Sequence, residues 1–104
     1  MPSELLTVTG TVTVRERIAL TSGAIATIKL VDGEGEVLAG TAIESTSVPT
    51  AFTLVADPAL APNPDELFVW AALRSGELGV WGTTDLVPVV AGEATDVVLT
   101  RIED

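Results

Sequence analysis

The sequence predicts an all-β protein, folded as a single β-sandwich of about seven mostly antiparallel strands with Greek-key-like connections. Apolar and polar residues alternate with a period of two over several short segments, the pattern of half-buried strands. Glycine and proline clusters separate these segments, and no segment has helical periodicity. The 104 residues leave room for one domain, residues 1–104.

The first two strands are predicted from regular alternation. In residues 6–14, valines and Gly10 alternate with threonines, so the valine face is expected to point inward. A turn at residues 21–23 precedes the second strand, residues 24–31, in which Lys29 is expected to face water.

An acidic, glycine-rich turn at residues 32–36 leads into a returning strand at residues 37–43. Its carboxylates at alternate positions suggest a calcium loop, but a calcium loop also needs a late bidentate carboxylate, which is missing at the required spacing. The turn is therefore interpreted as solvated and without metal.

A short strand at residues 51–55 carries Phe52 and Leu54 on one face. Pro49 precedes it and Pro58 follows it, and proline cannot donate a ladder hydrogen bond. Residues 57–65 contain three prolines and are predicted to form a long loop, a crossover between sheets.

Residues 67–74 and 77–84 give the clearest hairpin pattern, with a turn at Ser75 and Gly76. A two-residue loop would pair Trp70 with Trp81 on one face. A three-residue loop ending in a glycine bulge would leave Trp81 on the opposite face, and this register is preferred.

The chain ends with an edge segment at residues 86–90, interrupted by Pro88, and a last strand at residues 95–102. Together the strand phases predict a core between two sheets, formed by Val12, Val14, Ile28, Leu30, Phe52, Leu54, Trp70 and Leu99.

Composition excludes several classes of function. Fifteen acidic and five basic residues give a net charge of −10, which repels nucleic acid and anionic membrane surfaces. The longest apolar run, residues 67–73, is far shorter than the roughly 18 residues of a membrane span. Neither nucleic-acid binding nor membrane insertion is expected.

The chain has no cysteine and no histidine, which removes thiolate nucleophiles, imidazole bases and zinc sites built from these ligands. The single lysine, Lys29, lies among solvent-facing threonines and is interpreted as a surface residue rather than a catalytic amine. No glycine-rich phosphate loop precedes a helix. The sequence therefore predicts no enzyme, no catalytic residue, no metal and no cofactor.

Residues 67–73 are apolar on both faces, although a sandwich sheet needs only one apolar face. Either the loop at residues 57–65 covers the second face, or Val69, Ala71 and Trp81 form an exposed patch for a protein partner or a second copy of the chain. The second possibility makes these three residues the candidate partner-binding site.

Four places along the chain carry a resemblance to a known family: Gly10 and the strand after it, Ser22 to Ala24, Asp32, and residues 48–54. In that order they resemble the YbaY/YscW family of small bacterial lipoproteins. Weaker similarity extends the resemblance over residues 9–99. The resemblance implies a β-sandwich without assigned catalysis. One branch, represented by YscW, acts as a pilot that helps an outer-membrane secretin reach its place, which implies a protein-binding role.

The family usually carries a signal peptide with a lipid-modified cysteine, whereas the first six residues here have no basic and no apolar region of that kind. The expected location is therefore the cytoplasm for the chain as given, or the cell envelope if a signal peptide has been removed.

These observations favour a non-enzymatic interaction or structural module of the YbaY/YscW type. The alternative is a β-sandwich in which Trp70 or Trp81 stacks on a small molecule or a sugar ring. A flat apolar patch would support protein contact, and a concave site with converging carboxylate or amide groups would support a ligand. An enzyme, the third alternative, would need a cleft walled by two facing carboxylates.

Overall fold

A computed structural model describes residues 5–15, 23–61, 65–75, 79–90 and 92–102. It contains eight strands and one short 3-10 helix at Pro58–Leu60. Three of the predicted strands, the first, second and last, have the predicted bounds. The strands are β1 (Leu6–Val14), β2 (Ala24–Val31), β3 (Val37–Ser45), β4 (Thr50–Ala56), β5 (Phe68–Ser75), β6 (Gly79–Gly82), β7 (Val87–Pro88) and β8 (Thr95–Ile102).

The all-β prediction is confirmed, but the two-sheet sandwich is not what the structure shows. The strands form one sheet in the order β3-β2-β5-β6-β8-β1-β4, with β7 paired to β5. The reason is β8, whose first half pairs in parallel with β1 and whose second half pairs antiparallel with β6. One strand thus joins what would be two sheets, and the sheet curls until its two edge strands, β3 and β4, come into contact.

The connection between β3 and β4 is held by side-chain hydroxyl groups. The Ser45 and Thr50 hydroxyls are hydrogen-bonded to each other, and their oxygens lie 3.3 and 2.8 Å from the carbonyl oxygen of Ser47, so one of the two protons serves the mutual bond and the other the carbonyl. Because Ser45 is buried, these bonds satisfy a polar group that would otherwise be costly inside the protein. They fix the distance between the two edges at one end of the curled sheet.

The core lies inside the curl. Seven of the eight predicted core residues are buried there, all except Trp70. Trp81 is only 1% exposed and pairs across the strands with Leu73, in a row that continues to Ala26 on β2. Small side chains beside a large one are how narrow closed sheets fill their interior. Ala24, Ala26 and Ala71 are fully buried in the same core cluster as Trp81 and are the small side chains of this interior.

Trp70 is a correction to the predicted core. It lies on the outer face of β5 and is only half-buried, whereas Val69, Ala71 and Leu73 point inward and are fully buried. Both faces of this segment are apolar, so alternation alone did not identify the inner one. On β5 the inward positions hold these smaller side chains, and the aromatic ring inside the sheet beside them is that of Trp81 on β6.

The hairpin between β5 and β6 has neither of the two predicted registers. Leu73 is opposite Trp81 and Ser75 is opposite Gly79. The predicted turn at Gly76 falls outside the described residues. The shift arises because β5 continues through Ser75, which is fully buried, before the chain reverses. The face predicted for Trp81, shared with Val69, is nevertheless the one observed.

Two acidic side chains organise turns. One Asp32 carboxylate oxygen accepts hydrogen bonds from the backbone N–H groups of Glu34 and Glu36, each at 2.9 Å. Gly35 has a φ of 88°, which favours glycine. Asp57 caps the 3-10 helix in the same way by accepting from the N–H of Ala59 at 2.9 Å. The bonds accepted by Asp32 therefore agree with the predicted turn at residues 32–36.

The net charge predicts how salt affects stability. Raising sodium chloride from about 0.01 M to about 0.15 M shortens the Debye length from about 30 Å to about 8 Å. We expect the urea midpoint at neutral pH to rise, because screening relieves repulsion within a chain of charge −10. Urea titrations at the two salt concentrations measure this shift. A falling midpoint would show that attractive charge interactions dominate.

Candidate protein-binding surface

The three residues predicted to contact a partner do not lie on the surface. Val69 and Ala71 are fully buried and Trp81 is 1% exposed. They lie inside the curled sheet, in a core cluster that also includes Ala61 of the long loop. The predicted exposure of Val69, Ala71 and Trp81 is therefore wrong, because the sheet closes over this face.

The excess apolar residues appear instead on the outer face. The outward positions of β2, β5 and β6 carry half-buried apolar side chains that do not pack against the core cluster. We call this surface the Trp70 face. Its residues are Ile25, Phe68, Trp70, Ala72 and Val80.

Trp70 is held in place by its cross-strand neighbour. Lys29 of β2 lies directly opposite Trp70 of β5, and the lysine Nζ atom is 5.0 Å from the centroid of the indole ring. This distance is within the range of a cation–π contact, which is worth about 0.5–1 kcal/mol on a surface. Gly40, opposite Lys29 on β3, leaves open the space beside the lysine stem.

The cross-strand register arranges the Trp70 face in rows. Thr27, Ala72 and Gly82 are aligned across β2, β5 and β6 and form a row of short side chains. One neighbouring row contains Lys29 and Trp70, and the other contains Ile25, Arg74 and Val80. Because the middle row has the shorter side chains, it forms a shallow trough between β2 and β5, which ends at β6 where the Ile102 side chain lies against Gly82.

The trough is flanked by positive charge. Lys29 stands on one side of it and Arg74, which is exposed, on the other. Two of the five basic residues of the chain lie around this apolar surface, and one carboxylate, Glu44, lies at its margin opposite Ile25 on β3. The face is therefore suited to an apolar segment that also carries carboxylates.

Among the described residues, a metal site would take the form of a cluster of possible ligands. No group of three or more acidic, histidine or cysteine side chains is close enough there to hold a metal ion. The same-face neighbours of Trp70 given by the register are Lys29, Phe68 and Ala72, rather than the converging carboxylates or amides of the ligand alternative. The apolar Trp70 face is therefore better suited to contact with a protein surface than to binding a small ligand.

Sequence reasoning found the right segment and assigned its two faces the wrong way round. It identified residues 67–73 as too apolar for a one-sided sheet, and this excess is real. The signal that it missed was the pairing of Lys29 with Trp70. A lysine predicted to face water and a tryptophan predicted to face the core turn out to be directly opposite each other on the same face.

Comparisons with known proteins agree with this description. A family model described as "Type III secretion system lipoprotein chaperone (YscW)" matches residues 3–100. A solved structure titled "Structure of an alternative pilotin from the type II secretion system of Vibrio cholerae" has a TM-score of 0.78 and 23% sequence identity, covering 97% of this chain and 100% of that chain. At that identity the likeness concerns the fold. A search of curated proteins found no match.

In the described part of the chain, no helix is long and apolar enough to cross a membrane. The family match covers nearly the whole chain, from before β1 to residue 100 in β8. This chain belongs to the YscW family of type III secretion system lipoprotein chaperones.

Proposed function

We propose that this protein is a non-enzymatic pilotin-type chaperone that binds a protein of the secretion machinery through the Trp70 face. The observation that carries the proposal is the half-buried apolar outer face of β2, β5 and β6, which is not used for the protein's own core. Family membership supports the class of function, and the surface supports the location of the contact.

The chemistry of the Trp70 face fits a protein interface. Tryptophan and arginine are the residue types that most often dominate binding energy, and Trp70 and Arg74 are both on this face. The surrounding trough is open and shallow, which suits a peptide segment rather than an enclosed small molecule. A segment with aliphatic side chains and one or two carboxylates would meet both the apolar floor and the flanking cations.

The partner class follows from the resemblance. Pilots of the YscW branch help an outer-membrane secretin reach its place, so the proposed partner is a secretin and the proposed location is the cell envelope. The strongly negative chain then needs a defined point of attraction for its partner. Lys29 and Arg74 supply one, since they are placed beside the apolar contact rather than scattered.

The proposal is tested by replacing Trp70 with glutamate. Burying a carboxylate in an apolar contact is costly, so we expect the Kd for the purified secretin of the same organism to rise at least tenfold, or about 1.4 kcal/mol. Isothermal titration calorimetry measures it, and circular dichroism verifies that the fold is intact, because Trp70 is outside the core cluster.

Val98→Glu is the matched control, because Val98 is 51% exposed in the part of β8 that pairs with Thr13 of β1 and is not one of the residues of the Trp70 face. It should bind like the wild type. Unchanged binding by a folded Trp70→Glu variant would place the contact elsewhere. A loss of binding in both variants would indicate a general effect of charge rather than a site.

A further inference from the structure

The sheet has a gap at one end, between β1 and β7. The parallel pairing of β8 with β1 begins only at Gly10, which is opposite Thr95. Residues 6–9 of β1 pair with β4 on their other side, but in the described part of the chain no strand pairs with them on the β8 side. We call residues 6–9 the β1 edge.

A cavity of about 260 Å³ lies beside the β1 edge. Most of its wall is apolar, and it is continuous with the core because Val8 and Leu67 belong to both. Pockets for drug-sized ligands are about 300–1,000 Å³, so this cavity suits one or two aliphatic side chains rather than a whole ligand. Its described lining residues are Leu6, Thr7, Val8, Leu67, Val89, Val90, Gly92 and Glu93.

The β1 edge lacks the features that normally protect an unpaired edge. Proteins block such edges with charged residues or proline, because free N–H and C=O groups recruit other strands. Across the gap, β7 has this protection in Pro88, which has no N–H to donate. Residues 6–9, in contrast, are Leu6, Thr7, Val8 and Thr9, without charge or proline and mostly β-branched.

Charge indicates what kind of segment fits the gap. Glu93 is exposed and is the ionisable residue in the described lining. A second copy of this chain would bring another net charge of −10 to the same place, which long-range repulsion disfavours. A basic residue next to the cavity would instead be attracted by Glu93 and by the overall field.

We propose that the gap is a strand-addition site for an extended segment of another protein. The segment pairs its backbone with the β1 edge, places an aliphatic side chain in the cavity and carries a lysine or arginine beside Glu93. This site is separate from the Trp70 face and goes beyond the function proposed above. The two surfaces attract opposite charges, since the Trp70 face attracts carboxylates and the gap attracts cations.

The probe is an acetylated hexapeptide in which valine and serine alternate and two lysines follow, labelled for fluorescence anisotropy. We expect saturable binding to the full chain below about 1 mM. Methylating alternate backbone nitrogens of the peptide removes strand pairing, and exchanging its lysines for glutamates removes the attraction. Each change should weaken binding at least tenfold.

Val90→Asp tests the protein side, because Val90 lines the cavity and is 53% exposed, so the fold should tolerate the change. It should weaken binding at least tenfold, whereas Val98→Asp, at a residue of 51% exposure outside the lining, should not. Glu93→Lys should reverse the preference between the lysine and glutamate peptides. Trp70→Glu should bind the lysine peptide like the wild type, which separates this test from that of the Trp70 face.

Three results would overturn the proposal: no binding up to about 1 mM, equal binding of the methylated peptide, or equal binding by Val90→Asp. A wild-type dimer in light scattering that Val90→Asp converts to a monomer would assign the gap to a second copy and would also overturn it.

Discussion

Replacing Trp81 with alanine should remove a large part of the protein's free energy of unfolding. A large aromatic residue removed from a packed core costs about 3–5 kcal/mol, and the whole free energy of unfolding of such a domain is about 5–15 kcal/mol. Trp81 is 1% exposed, and the guanidinium carbon of Arg101 lies 5.4 Å from its ring centroid, so the truncation loses both packing and this contact. Chemical denaturation measures the loss.

Trp70→Ala is the matched control, because it removes the same side chain from the neighbouring strand. Trp70 is half-buried on the outer face and touches Lys29, so its removal should cost about 1 kcal/mol. Equal losses for the two variants, or a larger loss for Trp70→Ala, would mean that the inner and outer faces of β5 and β6 are assigned incorrectly.

The second large effect is expected at Gly10, where β1 and β8 come closest. A Cβ atom at this position would lie 1.8 Å from the carbonyl oxygen of Thr95 and 2.5 Å from its carbonyl carbon. Both are backbone atoms that cannot rotate away, so Gly10→Ala must push the parallel pair apart. We expect a loss of about 3 kcal/mol or more, at the upper end of overpacking effects.

Gly40→Ala is the control for this prediction. Gly40 is also in a strand, but an added Cβ would meet its nearest neighbours, the Ile28 carbonyl oxygen and Lys29 Cγ, at 3.7 Å, an ordinary contact. The change should be close to neutral or slightly stabilising, because alanine restricts the unfolded chain. Thermal melts of both variants give the comparison. A stable Gly10→Ala variant would contradict the close β1 to β8 pairing that joins the sheet.

Local pattern predicted most of the strands. Alternation identified β1, β2 and β8 with their observed bounds, since each has one apolar face and one polar face. The single sheet could not be predicted in this way. It depends on β8 changing partners from β1 to β6 along its length, a long-range pairing that leaves no periodic signal in residues 95–102.

The sequence predicted the candidate surface only as an excess of apolar side chains. The sequence shows that residues 67–73 carry more apolar side chains than one core needs, but both possible inner faces look acceptable. The side-chain volumes decide between the two faces. The large Trp81 shares the interior with the small Ala71 and Ala26, and the cross-strand register determines which residues lie side by side. The observed register differs from both predicted alternatives, but the preferred one already placed Trp70 and Trp81 on opposite faces; the error lay in which of these faces is the inner one.

Acrylamide quenching of tryptophan fluorescence tests most directly whether this protein binds its partner through the Trp70 face. The chain has two tryptophans, one half-buried on that face and one in the core, so the free protein should show one accessible and one protected component. Saturation with a tryptophan-free segment of the secretin should protect the accessible component and leave the other unchanged. If that segment binds with full affinity and Trp70 remains as accessible as in the free protein, the contact lies elsewhere and the account is contradicted.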